Sequence, residues 1–451
     1  MKKILVVDMT HGGTIIASEL SKRTDAQILA WDLYHTMDEE GEAILDAAGV
    51  QLLDDNFRSD QVDDDWMVVA PVHSQLNVPV GLTHHQAVRL LLEDEIKVPI
   101  LELTGVKGKT STVAVLKEIY RHHNPLILSS LGVEAVEGDK TTILLKDISI
   151  TPASIITAWN LALKEQFHPG MCIFETSLGG TGLAEVGILT NLAEDYAIAG
   201  GSKRASQAKE QIFQSQMVVC HRESFHSLYS SNKIFKDKTN TFSLDGEANL
   251  SISQVKYGIE ETSLILELEN LKNITGKLLN TSIPVKTFAP GPHLLENVLS
   301  AACAAFTLGT SEDEIVAGLN NFKGIKGRTS IREIDDVRIV QEVNPGINLT
   351  AIEKSVAMMT RYGSLVLVLG GQYGVTCEEI DENLLAGFLD ELPEDITLIL
   401  TDELGKSLDN KLNRVRVYKN DLENAMNMAI GAGASNVLLI YRSHFASVEK
   451  R

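Results

Sequence analysis

Short apolar runs alternate with amphipathic helical patterns along much of the chain, and this order predicts an α/β fold. In the first segment, an apolar run at residues 4–7 ends on Asp8. A turn containing Gly12 and Gly13, a helical pattern and a second apolar run at residues 28–30 follow. The two glycines do not form the G-x-G-x-x-G pattern of a dinucleotide site, so a plain turn between strand and helix is favoured. His11 in this turn either faces a ligand or is an ordinary turn residue.

The most informative stretch is T-G-V-K-G-K-T-S-T at residues 104–112. An apolar run at residues 98–103 precedes it and a helical pattern at residues 111–120 follows, which predicts a strand, a phosphate loop and a helix. The glycines allow a tight turn, the helix N-terminus attracts anions, and Lys109 supplies a charge for the β- and γ-phosphates. Thr110 would then bind magnesium. The usual pattern has glycine where this chain has Leu103, and a plain Gly/Lys-rich turn is the alternative interpretation.

Two further positions in the same segment are candidates for metal binding. An apolar run at residues 171–174 ends on Glu175, and a carboxylate at the C-terminal end of a buried strand is a typical metal ligand in a doubly wound sheet. A solvated glutamate at the end of a strand is the alternative. Lys209 lies in a helical pattern at residues 205–213, and the residues alone leave open whether it is buried or on the surface.

Two positions later in the chain also have alternatives. Asn297 precedes a helical pattern rich in small residues at residues 298–308, and it would contact adenine, cap the helix or pack against it. Arg328 follows Gly327 in a predicted turn, and it either reaches a phosphate or lies on the surface. A further α/β unit is predicted from strands at residues 337–343, 365–369, 397–400, 415–417 and 437–441, with helices between them.

The length of 451 residues is too great for one hydrophobic core and corresponds to about three domains of ~150 residues each. The motifs put the boundaries near residues 97 and 325. We therefore predict an N-terminal substrate-binding domain at residues 1–97, a central ATP-binding domain at residues 98–325 and a C-terminal domain at residues 326–451.

Charge and cysteine content exclude several classes of function. The chain has 40 Lys and Arg against 61 Asp and Glu, a net charge of −21, which argues against broad binding to nucleic acids or anionic membranes. No apolar run approaches the ~18 residues of a membrane span, and Asp8 interrupts the first run before it forms a signal core, so we expect a cytoplasmic protein. The cysteines form no C-x-x-C pair and are expected to be reduced and buried: Cys172, Cys220, Cys303 and Cys377.

Taken in order, these signals resemble the Mur ligase family. The family's sequence of motifs is matched by the loop at residues 104–112, the step at 175–177, the strand at 189–192 before Asp195, the helix carrying Lys209, the box of Gly291, His293 and Asn297, and the pair Gly327 and Arg328. The resemblance implies a three-domain α/β architecture, with a central P-loop ATPase domain and Rossmann-like N- and C-terminal domains. It also implies a ligase that activates a carboxylate as an acyl phosphate with ATP and Mg²⁺.

The resemblance implies a role for each matching residue. Lys109 would contact the γ-phosphate, Thr110 and Glu175 would bind Mg²⁺, and Lys209 would be carbamylated and hold a second Mg²⁺. The predicted catalytic residues are therefore Lys109, Glu175 and Lys209. The predicted ATP site, in which Asn297 contacts adenine and Arg328 reaches the phosphates, consists of Gly105, Val106, Lys107, Gly108, Lys109, Thr110, Ser111, Asn297 and Arg328.

The chain departs from the family pattern at two places. Tyr196 stands where a histidine is usual after Asp195, which bears on the second Mg²⁺ site. The C-terminal D-Y-A-H-N-P box of the family is represented only by Q-E-V-N-P at residues 341–345.

Within the family, the stretches at residues 7–13, 151–154 and 177–183 resemble the coenzyme F(430) synthetases of methanogenic archaea. This resemblance implies a ligase of nickel tetrapyrrole biosynthesis. ATP would phosphorylate a propionate of a nickel seco-F(430) acid, and a ring carbon of the same molecule would displace the phosphate to close a carbocycle. The nickel tetrapyrrole would then be the small-molecule partner, and the predicted substrate residues are His11, Gly12 and Gly13. The oligomeric state is left open.

Two other functions are compatible with these motifs. The first is a Mur-type peptide ligase that adds an amino acid to a murein or pseudomurein precursor. The second is a regulatory or scaffold protein that binds a nucleotide without turnover, although the presence of Lys109, Thr110, Glu175 and Lys209 argues against it.

Overall fold

The computed structural model describes residues 2–54, 56–63, 65–192, 195–334, 336–374 and 380–443. Contacts divide the chain into two compact units. The first consists of Met1–Val255, Leu264–Lys286 and Glu296–Asn321, and the second of Lys256–Ser263, Thr287–Leu295 and Phe322–Arg451. Mainly parallel sheets, connected by helices, confirm the predicted α/β class. The division into three domains remains a prediction.

The first sheet is five-stranded and entirely parallel. Its strands, in the spatial order β3-β2-β1-β4-β5, are β1 (Lys3–Val7), β2 (Gln27–Trp31), β3 (Gln51–Leu52), β4 (Trp66–Ala70) and β5 (Leu82–Thr83). Its helices are α1 (Thr14–Arg23), α2 (Glu39–Ala47) and α3 (His84–Leu92). A capping box fixes the start of α3, because the Thr83 hydroxyl accepts from the Gln86 amide and the Gln86 side chain accepts from the Thr83 amide.

The second sheet has eleven strands in the order β18-β17-β16-β15-β14-β11-β6-β10-β7-β8-β9. Its central strands, from β15 to β7, are parallel, and β8 and β9 form an antiparallel edge. The strands are β6 (Ile100–Thr104), β7 (Pro125–Ser129), β8 (Gly132–Glu137), β9 (Lys140–Lys146), β10 (Met171–Glu175), β11 (Val186–Leu189), β14 (Met217–His221), β15 (Thr239–Phe242), β16 (Leu250–Lys256), β17 (Thr262–Lys272) and β18 (Leu278–Thr287), while β12 (Ala197–Ile198) and β13 (Lys203–Arg204) form a separate hairpin. The helices are α4 (Lys109–Ile119), α5 (Ala153–Lys164), α6 (Ala205–Lys209), α7 (Arg222–Leu228), α8 (Lys233–Asp237), α9 (Pro292–Leu308) and α10 (Glu312–Asn321).

The third sheet has six strands in the order β19-β20-β24-β21-β22-β23, of which only β19 runs antiparallel to its neighbour. Its strands are β19 (Arg328–Ile334), β20 (Val337–Val343), β21 (Leu365–Gly371), β22 (Thr397–Thr401), β23 (Val417–Lys419) and β24 (Asn436–Arg442). Its helices are α11 (Leu349–Met359), α12 (Glu382–Asp390), α13 (Asp402–Asp409) and α14 (Leu422–Ile430). Two apolar clusters bury its two faces, which is why its central strands β21 and β24 are mainly apolar.

One apolar core of the first unit joins the first sheet to the second. Val6 of β1 and Val88 of α3 belong to the same buried cluster as Ile155 of α5 and Leu126 of β7. Since α5 packs against both α1 and α3, the turn that follows β1 is held against the start of α5. This packing positions the cavity described below.

Among the described residues, no helix combines the length and the apolar character that crossing a bilayer requires. Cys172, Cys220 and Cys303 are buried free thiols, and burial raises the pKa of each above its usual range. Cys377 lies outside the described residues.

Candidate active site

The stretch at residues 104–112 folds as a strand, a loop and a helix. β6 ends at Thr104 and α4 begins at Lys109. Gly108 caps the helix with φ +85°, a left-handed conformation that strains any residue with a Cβ. The first i→i−4 bond of the helix runs from the Thr112 amide to the Gly108 carbonyl, at 2.9 Å. The amides of Lys109, Thr110 and Ser111 precede that bond, at the end of the helix where the dipole attracts anions.

Thr190 and Asn191, which directly follow the neighbouring strand β11, hold this loop in place. The Val106 amide donates to the Asn191 carbonyl at 3.0 Å, and the Lys107 amide donates to Asn191 Oδ1 at 3.2 Å. The Thr190 hydroxyl donates to the Lys107 carbonyl at 2.7 Å. In this conformation the amides of Val106 and Lys107, both predicted ATP contacts, are therefore used to anchor the loop. Gly105 has φ +150°, and a Cβ there would clash with the Thr190 hydroxyl.

Thr110 and Glu175 meet beside the loop, as the resemblance implies. Glu175 is the last residue of β10, which pairs with β6 in parallel and brings the two strand ends together. The Thr110 hydroxyl donates to the two Glu175 oxygens at 3.2 and 3.0 Å, and the Ser130 amide donates to Glu175 Oε2 at 3.2 Å. Both side chains are buried. A hydroxyl and a carboxylate are hard oxygen donors, which is the ligand type that Mg²⁺ prefers, so the donor set fits this ion.

Two lysines with different environments complete this region. Lys109 Nζ donates to the Gly105 carbonyl at 3.1 Å across the loop. Lys209, the last residue of α6, is only 2% exposed. Burial, with a contribution from the charge of Lys109, lowers the pKa of Lys209 to about 7. A buried lysine with a neutral fraction near pH 7 is suited to carbamylation, because the neutral amine is the nucleophile that reacts with CO₂.

Asp195 and Tyr196, the pair in which the chain departs from the family pattern, have different surroundings in the structure. Asp195 accepts from the Ser206 amide and the Ser206 hydroxyl, each at 2.8 Å, and so fixes the start of the helix that carries Lys209. Tyr196 is 45% exposed. The carboxylate therefore supports Lys209 indirectly, through the helix.

Asn297 lies against the phosphate loop. It is in the second turn of α9, which begins at Pro292, so the prediction that this helix begins at residue 298 is wrong. A Cβ on Gly108 would clash with Asn297 Oδ1, which shows how closely the amide approaches the loop. Its predicted contact with adenine stays a prediction.

Arg328 belongs to the second unit and is not a turn residue. The turn ends at Gly327, which has φ +80°, and Arg328 is the half-buried first residue of β19. Its partner in register is Glu342 of β20. Burial raises the pKa of Glu342 to about 7, against the opposing effects of the Thr329 hydroxyl bond and the charge of Arg328. The predicted contact of Arg328 with phosphate stays a prediction.

Glu102 is a site-supporting residue that the sequence prediction misses. It lies in the middle of β6, is completely buried, and accepts from the Thr181 amide at 3.1 Å, the Thr181 hydroxyl at 2.5 Å and the Gly182 amide at 3.2 Å. Burial raises its pKa despite these bonds. Glu102 thereby ties the glycine-rich loop after Glu175 to the strand that leads into the phosphate loop. A lone acidic residue within an apolar strand is the signal that could have identified it.

A cavity of ≈ 350 Å³ lies in the same unit and joins three stretches that are distant in sequence. Its walls include His11 after β1, Thr151 and Pro152 before α5, and Ser177 and Leu178 after Glu175. These are the stretches that carry the resemblance to the coenzyme F(430) synthetases. Gly12 lines no wall, but a Cβ there would clash with Ala153, so this glycine allows the turn to pack on α5. A Cβ on Gly13 would clash with the Asp8 carbonyl.

Two buried histidines of α3 form one side of the cavity. His84 Nε2 donates to the Val7 carbonyl at 2.9 Å, and His85 Nε2 donates to the Ser177 carbonyl at 3.1 Å. Burial lowers the pKa of both imidazoles to about 4, so both are neutral at pH 7. The charge of Lys209 contributes to the shift of His85, which links this wall of the cavity to the lysines of the phosphate site.

His11 and His73 also line the cavity, and both contact the buried carboxylate of Asp8. His11 Nδ1 lies 2.7 Å from Asp8 Oδ2, and His73 Nε2 lies 3.4 Å from the same oxygen. Burial alone would raise the pKa of Asp8, but the hydrogen bonds with His11 and His73 hold it well below its usual range. The hydrogen bond to Asp8 in turn raises the pKa of His11. Asp8 is therefore a buried, ionised carboxylate.

Comparisons with known proteins agree with this architecture. Residues 103–305 match the family model of the Mur ligase middle domain, and residues 331–444 match that of the coenzyme F430 synthetase CfbE, C-terminal domain. The chain is 29% identical over 422 residues to the coenzyme F(430) synthetase of Methanosarcina acetivorans, with 86% of this chain and 88% of the relative covered. It is 27% identical over 420 residues to that of Methanocaldococcus jannaschii, with 91% and 93% covered.

A solved structure shows the same fold. The MurF ligase of Thermotoga maritima, determined in complex with ADP, superposes with a TM-score of 0.59 at 15% identity, covering 95% of this chain and 94% of that chain. The prediction of a Mur ligase-like α/β fold is thereby confirmed. The two family models and the relatives together show that the chain is similar over most of its length to ATP-dependent ligases of the Mur ligase type, and that its C-terminal segment is similar to the C-terminal domain of coenzyme F430 synthetase.

Proposed function

We propose that the chain is a cyclo-ligase that converts a nickel seco-F(430) acid to coenzyme F(430), releasing ADP and phosphate. A propionate oxygen attacks the γ-phosphorus of ATP, the bond to the β-phosphate oxygen breaks, and an acyl phosphate forms. A nucleophilic carbon of the same ring system then attacks the acyl carbon, loses its proton and expels phosphate. The product has a new carbon–carbon bond and a new carbocycle.

One observation carries the proposal. The three stretches that resemble the coenzyme F(430) synthetases, around His11, Thr151 and Ser177, are far apart in sequence but line one cavity. A shared role in binding one substrate accounts for this convergence. The relatives named as coenzyme F(430) synthetases, which this chain covers over 88% and 93% of their length, support the same substrate.

The residues of the first unit are suited to the activation step. Lys109 and the start of α4 supply positive charge for the transferred phosphoryl group. Thr110 and Glu175 would hold Mg²⁺, which when bound neutralises charge on the phosphate oxygens. Lys209, if carbamylated, would hold a second ion. Water must be kept from an acyl phosphate, and the mainly apolar walls of the cavity, such as Val72 and Ile198, serve that purpose.

The test is a screen of ADP release with purified protein, ATP and Mg²⁺. We expect release with the nickel seco-acid and formation of a product with the mass and absorption of coenzyme F(430). Lys109→Ala should abolish both while its circular dichroism remains that of the wild type. Release that requires an amino acid and a muramyl-type acceptor would instead establish the peptide-ligase alternative. ATP binding without release in either assay would favour a regulatory protein.

A further inference from the structure

The group of Asp8, His11 and His73 has no part in the activation chemistry described above. Asp8 follows β1 directly and is completely buried. Its backbone has φ 69° and ψ 85°, a left-handed conformation that is costly for a residue other than glycine. The conformation allows the carboxylate to accept from the His11 amide, at 3.2 Å, as well as from the His11 ring. The fold therefore holds this carboxylate against an imidazole at a local cost in strain.

The hydrogen bond selects one tautomer of His11. The Nδ1–H group donates to Asp8 at 2.7 Å, so the lone pair of the neutral imidazole is on Nε2. In metalloproteins a carboxylate that binds one ring nitrogen in this way orients the ring and raises the basicity of the other nitrogen, which ligates the metal. His11 lines the cavity and its side chain is 49% exposed, so a bound molecule can reach the ring.

The imidazole of His73 packs against that of His11 and restricts its orientation. His73 Nε2 lies 3.4 Å from the Asp8 oxygen that binds His11, and the two rings meet edge to face with centroids 5.0 Å apart. Tyr34 also packs edge to face against His11, with ring centroids 6.1 Å apart. The His11 ring is thus oriented by one carboxylate and two aromatic neighbours.

The remaining walls of the cavity fit a flat apolar ring. Next to the imidazoles the surface is formed by Pro71, Val72, Pro152 and Leu178. A volume of ≈ 350 Å³ accommodates part of a tetrapyrrole and leaves the rest outside. A metal held by four ring nitrogens has only its axial positions open, so one correctly oriented imidazole is sufficient to bind it. Asp8, His11 and His73 also form a group that could hold a single free metal ion, and the experiment below distinguishes the two ligands.

We propose that His11 is an axial ligand, through Nε2, to the nickel of the tetrapyrrole substrate, and that Asp8 and His73 are positioning residues for this imidazole. The inference rests on the proposed function, because that function supplies the nickel ring. A coordination bond forms from the nitrogen lone pair to Ni²⁺ and any axial water leaves, with no change in oxidation state. Attachment at the ring centre fixes the peripheral propionate relative to the phosphate site.

The test measures the coordination of nickel directly, without ATP and without turnover. The full-length protein is titrated with the nickel(II) seco-acid while the absorption spectrum and the magnetic susceptibility are recorded. An axial imidazole shifts the absorption bands of the nickel ring, whether it replaces an axial water or converts four-coordinate, low-spin Ni²⁺ to the high-spin state, so the wild type should produce a spectral change on binding. In His11→Ala this change should be lost and the affinity should fall by about tenfold or more. Added free imidazole should restore the spectral change of the bound ring.

Three further variants and a nickel-free ligand make the result specific. Asp8→Asn and His73→Gln should weaken the change without abolishing it, since both leave His11 in place. His226→Gln, an exposed histidine on α7, is the matched control and should behave as the wild type. The nickel-free seco-acid should bind the wild type and His11→Ala with equal affinity. Circular dichroism verifies that each variant is folded.

The possible outcomes separate the inference from the function on which it rests. If the seco-acid causes ADP release but no spectral change, the proposed function stands and the assignment of His11 as an axial ligand is wrong. An identical change in His11→Ala would also overturn it. Tight binding of NiCl₂ alone that depends on His11, together with an unchanged ring spectrum, would show an ion-binding site instead. Absence of both ADP release and seco-acid binding would reject the function itself.

Discussion

Lys209 provides a direct test of the electrostatics of the candidate site. Its pKa falls from an ordinary value of 10.5 to about 7, mainly because the ammonium group is buried and partly because of Lys109. Each unit by which the pKa differs between the folded and the unfolded chain corresponds to about 1.4 kcal/mol. Replacing Lys209 by methionine keeps the length of the side chain and removes the buried charge. We therefore expect Lys209→Met to raise the free energy of unfolding of the first unit by up to about 5 kcal/mol below pH 7.

The pH dependence gives the sign of the effect. Between pH 7 and 10.5 the unfolded chain binds a proton at this lysine and the folded chain does not, so the stability of the wild type rises with pH in that window. The methionine variant lacks this gain. The stabilisation by the substitution should therefore be greatest at pH 6.5, fall to about 2 kcal/mol at pH 9, and vanish above pH 10.5. Other titrating groups are common to both proteins and cancel in the difference.

The assay is unfolding in urea, followed by tryptophan fluorescence in buffers depleted of bicarbonate. The tryptophans, Trp31, Trp66 and Trp159, all belong to the first unit, so the signal reports the unit that contains Lys209. Lys236→Met, on an exposed position of α8, is the matched control and should leave the stability nearly unchanged. A difference between Lys209→Met and wild type that is the same at pH 6.5 and pH 9 would refute the reasoning.

Three further substitutions test the surroundings of the phosphate loop. Glu175→Gln should raise the Mg²⁺ concentration for half-maximal ADP release by about tenfold or more, as measured by Mg²⁺ titration; an unchanged requirement would exclude Glu175 as a ligand. Gly108→Ala should weaken ATP binding by about tenfold in calorimetry, because a residue with a Cβ costs about 1–2 kcal/mol at φ +85° and clashes with Asn297; unaltered affinity would contradict this. Glu102→Gln should destabilise the first unit by about 1–3 kcal/mol in urea, since the new NH₂ group opposes a backbone donor of Thr181 or Gly182; a stability equal to the wild type would show that the buried carboxylate is not needed.

The strands were the most predictable part of the fold. β20 has the predicted bounds, Val337–Val343, because its apolar residues, Val337, Ile339, Val340 and Val343, are all buried in the two clusters that cover the sheet. The beginnings of helices were less predictable. α9 begins at Pro292, and proline at the first helical position was a signal for that start. The turn before Arg328 was identified from Gly327, but the strand begins immediately after the glycine.

The local sequence was sufficient to predict the phosphate loop, but it was insufficient to predict which side chains around the loop are buried. Glycine, lysine and threonine at residues 104–112 are neighbours in the chain, so their geometry follows from a single turn. The burial of Lys209 depends on contacts with segments that are distant in sequence, which no local pattern records. The partnership of Asp8 and His73 is of the same kind, since 65 residues separate them and the parallel pairing of β1 with β4 brings them together.

The loop after β10 connects the two halves of the proposed chemistry. Glu175, the last residue of β10, lies beside Thr110 at the phosphate loop, and Ser177 and Leu178 of the loop that follows line the cavity. The Ser177 carbonyl binds His85, and Glu102 holds the loop through Thr181 and Gly182. A displacement of Glu175 is therefore transmitted to the wall of the cavity through a few covalent bonds. This short connection is what a reaction requires in which one carboxylate must reach both a phosphoryl group and a carbon of its own ring.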